Sequence, residues 1–137
     1  FNTLQIACNV FDRALLDICI NSNKNKIIHC RSILMQGLIS NPHLAKKILP
    51  DLDRFELDYK IINRIAEDEQ LTITELAFAY VSSLGKIDAI LLGSTSLSNI
   101  NSALRGIKKS IAVSTLDKLN SVASSKKRYS NPKEWNI

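Results

Sequence analysis

Four small residues, Gly93-Ser94-Thr95-Ser96, follow a short apolar run and precede a segment with helical spacing. Glycine and hydroxyl side chains at this position suit an anion, because the first N–H groups of a helix lack partners within it and carry a partial positive charge. On composition alone, an ordinary strand-to-helix turn with serine caps stays open as the alternative. Neither common nucleotide-binding pattern, GxGxxG or GxxxxGK[ST], occurs in the sequence.

Polar residues also follow two other predicted strands. Asn9 comes after the apolar segment Leu4–Cys8, and Arg31-Ser32 stands where the segment Ile27–Cys30 would end. The carboxyl ends of parallel strands meet at one edge of a sheet, where ligands bind in such folds. The three groups therefore predict a site at this edge, with plain strand-end polarity as the alternative.

Three predicted strands alternate with helices, which is the βαβ pattern of an α/β fold with a parallel sheet. The third strand, Ile87–Leu92, is predicted to be buried on both faces because it is almost entirely apolar. Before it, Thr72 and Glu75 form the TxxE pattern of a capping box, which predicts a helix start. A longer helix is predicted at Arg54–Asp68, with a buried stripe made by Ile61, Ile62, Ile65 and Ala66.

Composition restricts the class of protein. The 137 residues are 45% hydrophobic and 23% charged, as in a single globular domain, and no apolar run reaches the roughly 20 residues of a transmembrane helix. The net charge of +5 is spread along the chain except near an irregular basic tail, residues 124–137, so it does not indicate nucleic-acid binding. The chain has three cysteines, Cys8, Cys19 and Cys30, and no CxxC motif. Because an odd number of cysteines cannot all form disulfides within the chain, this pattern favours free thiols in a reducing, cytoplasmic compartment.

Three segments together resemble one protein family. They are QIACNVFDRALL from residue 5, IIHCRSILMQGLIS from residue 27, and LTITELAFAYVSSLGKIDAILLGSTSLSNINSAL from residue 71. Their order and spacing are similar to the second half of an aldo-keto reductase. The resemblance implies an α/β fold that is part of a (β/α)8 TIM barrel, with about three parallel strands in a single partial domain over residues 1–137. It also implies that a first half is missing, so the chain is expected to be a fragment.

The resemblance implies roles for residues near the first two strand ends. Gln5 matches the glutamine that holds the nicotinamide carboxamide, and Arg31 matches the position that packs against the nicotinamide face. A guanidinium is planar and stacks as an aromatic ring does. Ser32, Leu34 and Gln36 match the loop that wraps the pyrophosphate. Each role has a structural alternative. Gln5 could be an ordinary strand residue, Arg31 could form a surface ion pair, and the loop could be a simple turn.

The loop after the third strand matches the site for the adenosine 2′-phosphate. Ser94 and Thr95 keep hydroxyls there, whereas Gly93 and Asn99 stand where many NADPH-dependent members carry lysine and arginine. Ala103 stands where an asparagine would contact adenine. The resemblance implies NADP(H) as the cofactor, and the two missing cations leave NAD(H) open, because charge-assisted bonds to phosphate are roughly twice as strong as neutral ones.

By the same resemblance, the complete enzyme is an oxidoreductase that reduces a small aldehyde or ketone. The family's catalytic Asp, Tyr, Lys and His belong to the first half of the barrel, and none of their motifs occurs here. Tyr59, Tyr80 and Tyr129 fall in predicted helices or the tail. No catalytic residue and no metal ligand is therefore assigned.

Two other functions remain open from the sequence. The segment Thr72–Asp88 could belong to a helix–turn–helix protein, although the residues after Gly85 are aliphatic rather than polar like a recognition helix. The second open possibility is an inactive remnant that keeps only the pattern of hydrophobic core residues. The reductase interpretation implies no nucleic-acid or membrane partner, and it predicts self-association of the isolated chain through its open sheet edges.

Overall fold

A computed structural model describes residues 2–22, 25–123 and 128–136. Three strands form a parallel sheet in the order β1-β2-β3: β1 (Thr3–Ala7), β2 (Ile27–Arg31) and β3 (Ala89–Ile90). The described part of the chain has six α-helices: α1 (Ala14–Asn21), α2 (Ala45–Ile48), α3 (Leu52–Asp68), α4 (Ile73–Ser82), α5 (Leu97–Lys108) and α6 (Val113–Ala123). Short 3-10 turns lie at Met35–Gly37, Pro42–Leu44, Arg128–Ser130 and Pro132–Glu134. The predicted parallel α/β sheet is confirmed.

The two faces of the sheet have different surroundings. Ile6 and Ile28 point to the helix-covered side and are buried, as is Cys30. Gln5 and His29 pair in register and lie together on the other face of the sheet. Gln5 is exposed and His29 is half-buried. Because successive strand residues alternate between faces, the face of β1 and β2 that carries Gln5 and Arg31 is open, with only Ala7 and His29 half-buried on it.

The prediction that the third strand is buried on both faces is wrong. Only Ala89 and Ile90 pair with β2, both are half-buried, and Leu91 is 37% exposed. The strand lies at the edge of the sheet, and no described residue pairs with its outer side. This strand also excludes the helix–turn–helix alternative, which requires a recognition helix after Gly85.

Helix α3 buries a narrower stripe than the sequence predicts. Ile62, Ile65 and Ala66 are buried as expected, but Ile61 is 49% exposed. The stripe instead continues toward the start of the helix through Asp58 and Phe55 at spacings of three and four residues. Among the described residues, no helix combines the length and the apolar character needed to cross a membrane.

The predicted capping box at the start of α4 is confirmed. The Glu75 N–H donates to Thr72 Oγ1 at 3.2 Å, and the Thr72 N–H donates to Glu75 Oε2 at 2.8 Å. Arg105 of α5 donates from Nε to Glu75 Oε1 at 2.5 Å. The hydrogen bond from Thr72, reinforced by Arg105, holds the pKa of Glu75 below its ordinary value of 4.5.

We expect Glu75→Gln to lower stability at neutral pH and to have little effect in acid. A carboxyl whose pKa is depressed on folding stabilises the fold above pH 4.5, and this contribution is lost as the pH falls through the folded-state pKa. Urea denaturation at pH 7 should show a loss of about 1–2 kcal/mol, the cost of charge-assisted bonds. The exposed Glu67→Gln is the control. An equal loss from Glu75→Gln at pH 3 and pH 7 would contradict the linkage.

Part of the tail packs against the fold. Tyr129 is fully buried, and Trp135, which is 7% exposed, donates from Nε1 to the Tyr129 carbonyl at 2.8 Å. The Asn136 N–H donates to the Ile48 carbonyl at 2.9 Å. Residues 128–136 therefore pack against the rest of the fold, while Lys126 and Lys127 lie outside the described residues and the predicted irregular tail over residues 124–137 stays a prediction.

Candidate functional site

The end of β2 presents an exposed cation on the open face of the sheet. Arg31 is the last residue of β2, and its Nη1 donates to Ser32 Oγ at 3.0 Å. Its carbonyl accepts the Cys8 N–H at 3.2 Å, which joins the ends of β1 and β2. The guanidinium therefore rests on a fixed backbone and remains open to solvent.

The loop after Arg31 has an unusual backbone. Four of its residues have positive φ: Ser32 at 60°, Met35 at 48°, Gln36 at 54° and Gly37 at 93°. The left-handed region is uncommon for residues other than glycine, and such strain clusters at ligand-binding loops. The buried Met35 anchors the loop to the core, whereas the Gln36 side chain is exposed.

Leu34 is placed differently from its exposed neighbours. Its side chain is half-buried and packs against the hydrophobic core. Its carbonyl accepts the N–H groups of Gly37 at 2.9 Å and Ile39 at 3.3 Å. In this structure Leu34 therefore holds the turn together.

Asn9 braces the two strand ends. Its side chain is 4% exposed, and its Oδ1 accepts the N–H groups of Phe11 at 2.9 Å and Asp12 at 3.1 Å. Its Nδ2 donates to the Ser32 carbonyl at 3.3 Å. The structure thus brings Asn9 and Ser32 together as the sequence predicts, but the amide of Asn9 is occupied by the protein itself.

The loop before α5 is open, with its hydroxyls partly used in the turn. Ser94 Oγ accepts the Ser96 N–H at 3.0 Å, and Ser96 caps α5 by accepting the Asn99 N–H at 3.4 Å. Gly93 and Thr95 are exposed. Ala103 is 4% exposed and faces the core, so its side chain is not available to a ligand.

A groove of about 970 Å³ lies at the carboxyl ends of β1 and β2. Arg31, Ser32 and Gln36 line one part of it. Tail residues 130–135 line another part, which sequence reasoning missed because no local pattern links a tail to a strand end. Gln5, Leu34 and the loop from Gly93 to Asn99 do not line this groove. A smaller cavity of about 310 Å³ lies at the amino ends of β2 and β3. Lys26 and Lys86 contribute to its lining.

The described tyrosines do not resemble proton donors in a reaction. Tyr80 is fully buried and donates to Asn120 Oδ1 at 3.0 Å, and burial raises its pKa. Burial together with its hydrogen bond to Asp58 raises the pKa of Tyr129. Burial also raises the pKa of Tyr59. A tyrosine that gives up its proton needs a pKa nearer the operating pH and access to substrate.

Comparison with solved structures identifies the fold. A thermostable aldo-keto reductase in complex with the inhibitor epalrestat superposes with a TM-score of 0.64 at 17% identity, over 88% of this chain and 39% of that one. The chain has the fold of part of an aldo-keto reductase. An aldo-keto reductase from Bacillus halodurans gives a TM-score of 0.67 at 14% identity, covering 90% of this chain and 44% of that one. The glycerol dehydrogenase from Gluconobacter oxydans gives a TM-score of 0.68 at 16% identity, covering 88% of this chain and 41% of that one.

The match covers most of this chain but less than half of each aldo-keto reductase structure. Nearly all of this chain is covered, yet the chain spans only about 40% of the length of these structures. No family model and no curated protein matches the sequence. The predicted partial barrel is therefore confirmed at the level of fold.

Proposed function

We propose that this chain is a member of the aldo-keto reductase family and supplies the cofactor-binding part of an NAD(P)H-dependent oxidoreductase. Completed by the barrel elements that the chain does not contain, it would reduce a small aldehyde or ketone. The observation that carries the proposal is the exposed Arg31, fixed at the carboxyl end of β2 on the open face of an aldo-keto reductase-like sheet. The fold match over 88% of the chain supports it.

The chemistry of the open face suits a nicotinamide. The planar guanidinium of Arg31 stacks on an aromatic ring and carries a permanent positive charge. Gln5, earlier on the same face of the neighbouring strand, offers an amide that both donates and accepts, which matches a carboxamide. Left-handed residues such as Ser32 and Gln36 also occur in the backbone nests that bind anions such as a pyrophosphate.

The loop before α5 suits a phosphate only weakly. Exposed Thr95, the Ser94 hydroxyl and the start of a 12-residue helix provide dipoles, but Gly93 and Asn99 provide no cation. We infer that the chain binds NADP(H), with a preference over NAD(H) that is less than about tenfold, because charge-assisted phosphate bonds are missing.

The proposal predicts that Arg31→Ala weakens NADPH binding by the isolated chain about tenfold. This corresponds to a contribution of about 1.4 kcal/mol, within the usual range of a cation on an aromatic face. Titration calorimetry with NADPH measures the effect. Arg64→Ala is the matched control, since the exposed Arg64 forms an ion pair with Asp68 of the same helix, at 3.5 Å.

Equal affinities of Arg31→Ala and the unmodified chain would place the cofactor elsewhere and overturn this assignment. An absence of NADPH binding by the unmodified chain would favour the inactive remnant. The isolated chain is not expected to reduce a carbonyl, since no catalytic residue is assigned in it.

A further inference from the structure

The open face of the sheet carries a positive charge and no acidic residue. Six residues of β1 and β2 alternate onto this face: Thr3, Gln5, Ala7, Ile27, His29 and Arg31. Arg31 is exposed, and its guanidinium donates to the neutral hydroxyl of Ser32 at 3.0 Å. Within the described residues, no ion pair includes Arg31. Its charge is therefore not offset by a carboxylate in direct contact.

Asp12 is the carboxylate of α1 that lines the groove beside Arg31, and both of its oxygens are engaged elsewhere. Its Oδ1 accepts the Ala14 N–H at 2.9 Å, at the start of α1. Its Oδ2 accepts the Ser130 hydroxyl at 2.7 Å, in the tail. These two hydrogen bonds hold the carboxylate between the helix and the tail rather than on the sheet.

The tail adds one charge of each sign to the groove, Lys133 and Glu134. Glu134 Oε1 accepts from Asn131 Nδ2 at 3.3 Å, within the tail itself. The two positive and two negative charges of the groove cancel overall, so their effect on a ligand depends on where each is held. Arg31 is the one of the four that belongs to the sheet. A flat ring that lies against the end of β2 therefore meets a positive charge.

The two redox forms of a nicotinamide cofactor differ in the charge of this ring. The reduced dihydronicotinamide ring is neutral and electron-rich, whereas the oxidised ring is a pyridinium with a full positive charge. The phosphates and riboses are the same in both forms. A guanidinium against the face of the ring attracts the reduced form and repels the oxidised form.

We propose that Arg31 makes this site selective for the reduced cofactor, so that the chain binds NADPH more tightly than NADP+. The inference rests on the proposed function, because it takes Arg31 to lie against the nicotinamide. Since Arg31 is exposed, solvent weakens the repulsion, and NADP+ should bind about tenfold more weakly than NADPH. Such a site takes up reduced cofactor and releases oxidised cofactor readily, which suits the reduction of a carbonyl.

Titration calorimetry of the chain with NADPH and with NADP+ tests the proposal. Arg31→Gln removes the charge and keeps a planar polar group. It should weaken NADPH binding about tenfold and leave NADP+ binding nearly unchanged, so that the preference for NADPH disappears. Arg31→Lys keeps the charge and should retain the preference. Arg64→Gln is the matched control, since Arg64 is exposed on α3 and lies outside the groove; it should leave both affinities unchanged.

The same titrations with NADH and NAD+ separate the ring from the adenosine 2′-phosphate. Each pair of cofactors differs by the same ring charge, and the 2′-phosphate is either present in both members or absent from both. The ratio of NADH to NAD+ affinity should therefore agree with the ratio of NADPH to NADP+ affinity. A preference for NADPH over NADP+ without a preference for NADH over NAD+ would overturn the proposal.

Two further results would overturn the inference and leave the proposed function intact. One is equal affinity of the unmodified chain for NADPH and NADP+. The other is a preference for NADPH that persists in Arg31→Gln, which would place its cause away from Arg31. Absence of binding by all four cofactors would instead overturn the proposed function, and this inference with it.

Discussion

Gly106→Ala is expected to destabilise the fold by about 2–3 kcal/mol. A Cβ at this position would lie 2.3 Å from the Glu75 carbonyl oxygen and 2.8 Å from Phe78 Cβ. The first contact is with backbone, so no side-chain rotation relieves it, and α5 must move away from α4. Because this clash is with backbone, we expect an overpacking cost of about 3–4 kcal/mol, at or above the upper end of the usual range, and subtract the roughly 1 kcal/mol that alanine gains over glycine within a helix.

Urea denaturation followed by circular dichroism measures this effect. Gly93→Ala is the matched control, because a Cβ there has nothing within 4 Å and the stability should change by less than about 0.5 kcal/mol. If Gly106→Ala is as stable as the unmodified chain, the close packing of α4 and α5 is not present in solution.

Tyr129→Ala is expected to cost about 3–5 kcal/mol, the usual range for removing a buried aromatic residue. The ring is fully buried and meets Phe11 and Phe55 edge-on, with centroid distances of 5.8 and 5.5 Å. Its hydroxyl donates to Asp58 Oδ2 at 2.5 Å, and Asp58 is only 3% exposed. The substitution removes both the packing and the donor to a buried carboxylate.

Tyr129→Phe separates these two contributions. It keeps the ring and removes the donor to Asp58, so the loss should fall to about 1–3 kcal/mol. Tyr59→Phe serves as the control, since its hydroxyl donates at 3.1 Å to the Ile39 carbonyl rather than to a buried charge. A loss from Tyr129→Phe that does not exceed the loss from Tyr59→Phe would show that the bond to Asp58 contributes little.

The tail links stability to the groove. Ser130 donates from Oγ to Asp12 Oδ2 at 2.7 Å, and residues 130–135 line the groove beside Arg31. Because Tyr129 anchors this segment to α3, loss of the ring should also loosen the tail side of the groove. These tail contacts are long-range: Tyr129 lies 71 positions after Asp58 in the sequence, and Ser130 lies 118 positions after Asp12.

Local patterns predicted the elements that local forces determine. The apolar segments at Leu4–Cys8 and Ile27–Cys30 indicated β1 and β2, and Thr72 with Glu75 indicated the start of α4. The capping box joins residues three positions apart, and each strand shows in its own apolar pattern although its pairing is long-range; the structure confirms all three elements. The resemblance to aldo-keto reductases added the partial barrel, which the structure comparison confirms as a fold.

Features that depend on distant contacts were not predictable in this way. The apolar run at Ile87–Leu92 indicates a strand but cannot show that it lies at the edge of the sheet with one face open. The packing of Tyr129 on Asp58 has no periodic signature. The functional assignments of Gln5, Arg31, Ser32 and the loop from Gly93 to Asn99 stay predictions, since the structure gives their positions and not their ligand.

The most direct test of the central claim is an NMR titration of the uniformly ¹⁵N-labelled chain with NADPH. Amide shifts are expected at Gln5 on the open face of β1, and at Arg31 to Gln36 and Gly93 to Thr95, which follow the carboxyl ends of β2 and β3. NADH should shift the first two groups similarly and the third less. An unchanged spectrum, or shifts confined to the opposite cavity around Lys26 and Lys86, would contradict the proposal that this chain binds the cofactor of an aldo-keto reductase.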